Sequence, residues 1–146
     1  MVLEKDARAY FEKSFNCAQS VLGPFAERLG VDIDLALKMA TPFGGGMGHN
    51  SQVCGAVSGG LMAIGLVKGI SSPDREKKYA CYALAAEFQS RFRALHGTLT
   101  CPELLGYDIR EPEMLEKVRE LNLFHTRCPI FVADAARIVE ELLNIA

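Results

Sequence analysis

The stretch from Phe43 to Lys68 constrains this chain more than any other. Phe43-Gly44-Gly45-Gly46-Met47-Gly48 puts four glycines in six residues, and the eighteen residues from Asn50 to Val67 carry no charge. Glycines adopt positive φ without strain and offer bare backbone N–H groups. Gly44, Gly45, Gly46 and Gly48 therefore predict a tight loop suited to cradling an anion or cofactor. With Ser51 read as a cap, Gln52 to Lys68 predicts a helix on which Gly55, Ala56, Gly59, Gly60 and Ala63 leave room for close helix approach. An uncharged helix of this length either spans a membrane or forms the centre of a helical protein. Its Gly and Ser content, and the lack of a second such segment, favour the buried central helix.

The remaining segments also read as helices. Leu3 to Ser14 places Ala7, Tyr10, Phe11 and Phe15 on one face, and Asn16 caps a second helix from Cys17 to Leu29, closed by Gly30. Asp32 or Asp34 opens a third, through Leu37, Met39 and Ala40. Ser72, with Pro73 at the first helical position and Asp74 in the first turn, starts a long helix that ends before Gly97. Its core face is Cys81, Ala85, Phe88, Phe92 and Leu95. Thr100 and Glu103 read as a capping box on a short helix ending at Gly106, and Pro112 or Glu113 begins another through Leu121. The last helix starts at Pro129 and runs to the C-terminus. No segment alternates as a strand does. The expected fold is one all-α domain over residues 1–146, a bundle of about six or seven helices around the small-residue helix.

Composition narrows the function. At 146 residues, 49% of them hydrophobic, the chain can bury a core without disulfide or metal staples. Sixteen Lys and Arg against eighteen Asp and Glu give a net charge of −2, which argues against a nucleic-acid partner or an anionic membrane surface. The charged start MVLEKDARAYFEK lacks the apolar segment of a signal peptide, so a cytoplasmic location is expected, with no membrane insertion. Five cysteines at wide spacing (17, 54, 81, 101 and 128) do not resemble the framework of a small secreted domain. In a reducing compartment such thiols are more often redox-active or metal-binding than structural.

Four of the five fall at predicted helix N-termini. Cys17 follows the Asn16 cap, Cys54 lies in the first turn after Ser51, Cys101 follows Thr100, and Cys128 precedes Pro129. Unsatisfied N–H groups and the positive dipole end favour thiolate, the form that attacks disulfides and binds metals. Cys81 sits within a helix on its apolar stripe and reads as core, apart from the others. His49 beside the loop is open to three readings: metal ligand, base for Cys54, or ordinary loop residue. His96 and His125 read as residues complementing helix C-termini, with His125 three residues before Cys128 and able to approach the site.

The pattern resembles the C_GCAxxG_C_C family of redox-active proteins. The resemblance rests on Asn16-Cys17-Ala18-Gln19-Ser20-Val21, on Phe43 to Gly48, on Cys54-Gly55-Ala56-Val57-Ser58-Gly59, and on Cys101 and Cys128, and it spans nearly the whole chain. It implies that the family cysteines are Cys17, Cys54, Cys101 and Cys128, with Cys81 outside the pattern, and that the protein is a helical redox module.

Three functions remain open. The four thiols can cycle between dithiol and disulfide against a redox partner protein or a small-molecule substrate, which requires no cofactor. They can instead hold a metal or iron–sulfur cluster, with His49 as a further ligand, although no C-x2-4-C pair marks such a site. Or the chain is a helical binding module or subunit with inert thiols. Under the dithiol reading, the Cys-Pro pairs and the short intervening loop predict a Cys101–Cys128 disulfide. Cys54 is then the lowest-pKa nucleophile, with Cys17 as its partner.

Overall fold

The structure, a computed structural model, describes residues 2–145. The helices are α1 (Val2–Glu12), α2 (Cys17–Arg28), α3 (Ile33–Ala40), α4 (Gly55–Lys68), α5 (Arg75–His96), α6 (Cys101–Leu105), α7 (Pro112–Glu120), α8 (Leu123–Thr126) and α9 (Cys128–Leu143). Seven of them, among the described residues, have eight residues or more. The chain is an all-α domain, and none of its described helices is long and apolar enough to cross a membrane.

Three helices, α2, α4 and α9, pack against one another, with α1 against α2 and α9, α3 against α2, and α5 against α4 and α9. The small-residue face of α4 makes this possible. A Cβ on Gly59 would lie 2.6 Å from the Ala18 carbonyl oxygen of α2, and one on Gly60 would lie 2.3 Å from the Phe88 ring of α5. Neither position tolerates a side chain without separating the helices. The largest core residues, Phe25, Phe88 and Phe92, fill the space between these elements.

Several helix ends follow from local chemistry. Asn16 accepts from the Gln19 N–H at 2.9 Å, and the Gln19 side chain accepts from the Asn16 N–H at 3.0 Å, a full capping box. Asp32 caps α3 through the Leu35 N–H, and Gly97 and Gly106 end α5 and α6 in the left-handed region.

Other boundaries differ from expectation. α1 stops at Glu12, and Ser14 turns into positive φ. α4 begins at Gly55 with Cys54 at the N-cap, not at Gln52. Ser51 takes a left-handed conformation, and its buried hydroxyl accepts from the Ile109 N–H at 3.0 Å, so it anchors a distant loop instead of capping the helix. Asp74, accepting from the Lys77 N–H, is the N-cap of α5, which leaves Pro73 outside the helix. Thr100 forms no capping box, because its hydroxyl donates to the Glu103 carboxylate instead of accepting from the backbone.

The face of α5 is narrower than its periodicity predicts. Phe88 and Phe92 are buried, Cys81 and Ala85 only half-buried, and Leu95 is 53% exposed. Only α4 and α9 cover this helix substantially. His96 does not simply complement the end of α5. Its Nε2 lies 2.9 Å from the Asp134 carboxylate of α9, and its ring packs on Phe92 and Phe131. α9 begins at Cys128 and ends at Leu143, with Asn144 in the left-handed region, so it does not reach the terminus. Ala146 itself lies outside the described residues.

Candidate functional site

The site is assembled by three ties between distant segments. The first holds the start of α2. The Asn16 amide donates to the Thr41 carbonyl at 2.9 Å, and the Gln19 amide donates to the Leu37 carbonyl and the Thr41 hydroxyl, each at 3.0 Å. The glycine loop is thereby drawn against Cys17. The second is a single antiparallel bridge between Val53 and Thr100. The Cys54 N–H donates to Leu99 at 2.8 Å and the Cys101 N–H to Gln52 at 2.9 Å, so the two cysteines emerge side by side. The third is the Arg127 guanidinium, which donates to the carbonyls of Leu104 and Leu105 at 3.3 Å and joins the end of α6 to the start of α9.

These ties bring Cys17, Cys54, Cys101 and Cys128 together around one cavity of about 540 Å³. Cys17, Cys101 and Cys128 are first residues of their helices, and Cys54 is the N-cap of α4. Cys54, Cys101 and Cys128 are buried and Cys17 half-buried, all as free thiols. Gly55 lets them approach, since a Cβ there would lie 3.1 Å from that of Cys17 and 3.0 Å from the Ala18 nitrogen. Cys81 stands apart on α5 and does not line the cavity.

The Val53–Thr100 bridge sets Cys54 beside Cys101, and the close contact of Gly55 with the Cys17 Cβ sets Cys54 beside Cys17. Cys128 joins them on the wall of the same cavity.

The surroundings of each thiol set its acidity. Cys54 is held well below the ordinary thiol range because Cys101 and Cys17 both donate to its sulfur. Burial opposes this, and the N–H groups of Ala56 and Val57 at the start of α4 reinforce it. Cys17 is pushed well up, chiefly by its bonds to Cys128 and Cys54 and then by burial. Cys101 is likewise raised, chiefly by its bond to Cys54 and then by burial. The favoured state is one thiolate, Cys54, with two flanking thiols holding its charge.

The glycine loop contributes unevenly. Gly45 lines the cavity, with His49 Nδ1 within 2.7 Å of where its Cβ would lie, and His49 itself is exposed at the cavity edge. Gly44 packs on the Asn16 side chain, and Gly46 is buried with φ +75° against the Gln52 backbone. Gly48 turns the chain at φ +74°. The N–H groups of Gly48, His49, Ser51 and Gln52 are bonded to carbonyls of Gly44, Gly45 and Gly46, so the loop spends them on itself. His125 does reach the cavity, as does Arg8 of α1. Sequence reasoning did not anticipate the phenylalanine wall of Phe11, Phe15, Phe124 and Phe131. The positions of Phe15 just before the Asn16 cap and of Phe131 one turn after Cys128 were its local signals.

The family model described as "Putative redox-active protein (C_GCAxxG_C_C)" matches residues 15–142. The chain belongs to this family. The match takes in all four cavity cysteines, the glycine loop and the start of α4. A protein of Archaeoglobus fulgidus described as "Uncharacterized protein" is 31% identical over 115 residues, covering 73% of this chain and 76% of the relative. No solved structure matches the chain.

Proposed function

We propose that this member of the C_GCAxxG_C_C family carries out thiol–disulfide exchange, with Cys54 as the attacking thiolate and a small-molecule disulfide as substrate. One observation carries the reading: the acidified Cys54 sulfur, flanked by two thiols, opens on a cavity of about 540 Å³. Attack of Cys54 on one sulfur of the substrate forms a mixed disulfide and expels the first thiolate. Cys17 or Cys101 then attacks the Cys54 sulfur, closing a protein disulfide and releasing the second thiol, while its own proton goes to the departing group.

Access supports a small substrate. Cys54 is 2% exposed and lines a cavity whose wall includes Phe11, Phe15, Phe124 and Phe131, which favours a small substrate over a disulfide on the surface of a folded protein. Exchange is supported over a cluster because, among the described residues, no group of three or more His, Cys, Asp or Glu side chains is disposed to hold a metal ion.

The test is metal analysis and a visible spectrum of anaerobically purified protein, followed by the pH dependence of alkylation at each cysteine. The expected result is no stoichiometric metal and a Cys54 alkylation rate half-maximal well below pH ~8.5, the ordinary thiol value. Stoichiometric metal with intense sulfur-to-metal absorption replaces exchange with the cluster reading. Thiols that titrate in the ordinary range leave the inert binding module.

A further inference from the structure

We infer that Arg8 and Glu12, at the mouth of the thiol cavity, recognise the adjacent carboxylate and ammonium of an amino acid, so that the substrate is a zwitterionic disulfide. This rests on the exchange reading above and adds the substrate class. It is carried by the face that α1 turns to the cavity. α1 buries Leu3 and Ala7 in its contacts with α2 and α9. Arg8, Phe11 and Glu12, spaced i, i+3 and i+4, then share a side of the helix, and all three line the cavity. Arg8 and Glu12 are exposed, and among the described residues neither forms a hydrogen bond or an ion pair, not even with the other.

Opposite charges one turn apart match an amino-acid head group. The Cβ atoms of an i, i+4 pair lie about 5–6 Å apart, which lets the two charged ends flank a carboxylate and an ammonium borne on one carbon. The Arg8 guanidinium donates to the carboxylate in its forked geometry, and the Glu12 carboxylate accepts from the ammonium. Depth sorts the rest of the molecule. Burying a charge among the phenylalanines is costly, so the head group stays at the wet mouth and the uncharged methylene and sulfur pass inward to Cys54, which is 2% exposed. The head group of the second half ends beside the exposed His49 and His125 rings on the same cavity.

The chemistry is that of the proposed exchange. The Cys54 thiolate attacks one sulfur of R–S–S–R and expels the first R–S⁻, which takes a proton from water. A flanking thiol then attacks the Cys54 sulfur, and the second R–S⁻ leaves with that thiol's proton. One R–S–S–R and two protein thiols yield two R–SH and one protein disulfide.

The experiment compares four disulfides with the same short sulfur-bearing arm: cystine with both charges, dithiodipropionate with the carboxylate alone, cystamine with the ammonium alone, and neutral hydroxyethyl disulfide. The full reduced chain, Arg8→Gln and Glu12→Gln are each mixed with one of them, and mass spectrometry of quenched samples follows the loss of alkylatable Cys54. Comparing variants on one substrate cancels its intrinsic reactivity. Arg8→Gln should slow cystine and dithiodipropionate by about threefold to tenfold and spare cystamine, while Glu12→Gln should slow cystine and cystamine to a similar degree and spare dithiodipropionate. Hydroxyethyl disulfide should be unaffected by either. Cystine decides between a local site and a general field, because its net charge is zero and yet both variants should slow it. Lys5→Gln, which removes a charge of α1 that does not line the cavity, should leave all four rates unchanged. If cystine oxidises both variants at the rate of the unaltered chain, or is slowed in one variant only, zwitterion recognition is overturned while the exchange reading stands. If none of the four disulfides oxidises Cys54 of the unaltered chain, the exchange reading fails and the substrate class falls with it.

Discussion

Two glycines of α4 should respond in opposite directions to the same substitution. Replacing a helix-interior glycine by alanine gains about 1 kcal/mol of helix propensity where the new methyl is free. At Gly65 a Cβ meets nothing within 4 Å, so Gly65→Ala should stabilise the protein by close to that amount. At Gly59 the Cβ would lie 2.6 Å from the Ala18 carbonyl oxygen and 3.1 Å from the Ala18 Cα. The obstacle is backbone, so α2 must retreat by roughly half an ångström, and overpacking of this kind costs about 1–3 kcal/mol. With the propensity gain subtracted, Gly59→Ala should cost about 0–2 kcal/mol. The two variants should then differ by about 1–3 kcal/mol, which is roughly 3–10 °C in Tm for a domain of this size. Thermal and urea melts of the reduced proteins measure this. Ala18 follows Cys17, so the same retreat draws one of the two donors away from Cys54, and the Cys54 alkylation profile of Gly59→Ala should move toward higher pH. Equal melting of the two variants, or an unchanged Cys54 profile in a destabilised Gly59→Ala, would refute the close α2–α4 contact as what sets both the packing and the site.

Other outcomes follow from single contacts. Ser51→Ala leaves the buried Ile109 N–H without its acceptor and should cost about 1–3 kcal/mol by urea melt, with α4 itself intact by circular dichroism. Asn16→Ala removes the cap of α2 and the tie to Thr41; it should cost about 1–2 kcal/mol and weaken Cys54 acidity as well, which alkylation kinetics can follow. The stability of the reduced protein should peak in pH near ~8.5, the ordinary thiol pKa. Below that value Cys54 is ionised only in the folded state, so the unfolded chain binds more protons and stability rises with pH. Above it Cys17 and Cys101 hold protons that the unfolded chain has lost, so stability falls. Urea midpoints across pH measure this, and Cys54→Ser should abolish the rising limb and also make the falling limb shallower, because Cys101 and Cys17 lose the partner that helps raise them.

How much of this was legible beforehand differs by element. The capping of α2 by Asn16, the glycine stops at Gly97 and Gly106, and the small-residue face of α4 were all readable. Each depends on residues within a turn or two, or on side chains too small to block a neighbour. The placement of four cysteines at helix starts belongs to the same class. Boundaries failed where a residue with good local credentials was engaged elsewhere. Ser51 is spent on Ile109 and Thr100 on Glu103, and Leu95 faces solvent because the helices packed against α5 do not reach it.

What the sequence alone determined about this protein is therefore its all-α class, its central helix, and which thiols stand at positive helix ends, because helix propensity, capping and dipole are short-range. Only the tertiary structure decided that Cys17 and Cys101 both lie beside Cys54, that Cys128 shares their cavity, and that phenylalanines help to wall it. Successive cysteines of this group are 37, 47 and 27 positions apart in the chain. Their convergence is set by the Val53–Thr100 bridge, the Asn16–Thr41 tie and the closeness that Gly55 and Gly59 permit. A cysteine's neighbours in sequence carry no record of which other cysteine the packed helices will bring against it, because that depends on the packing of whole helices.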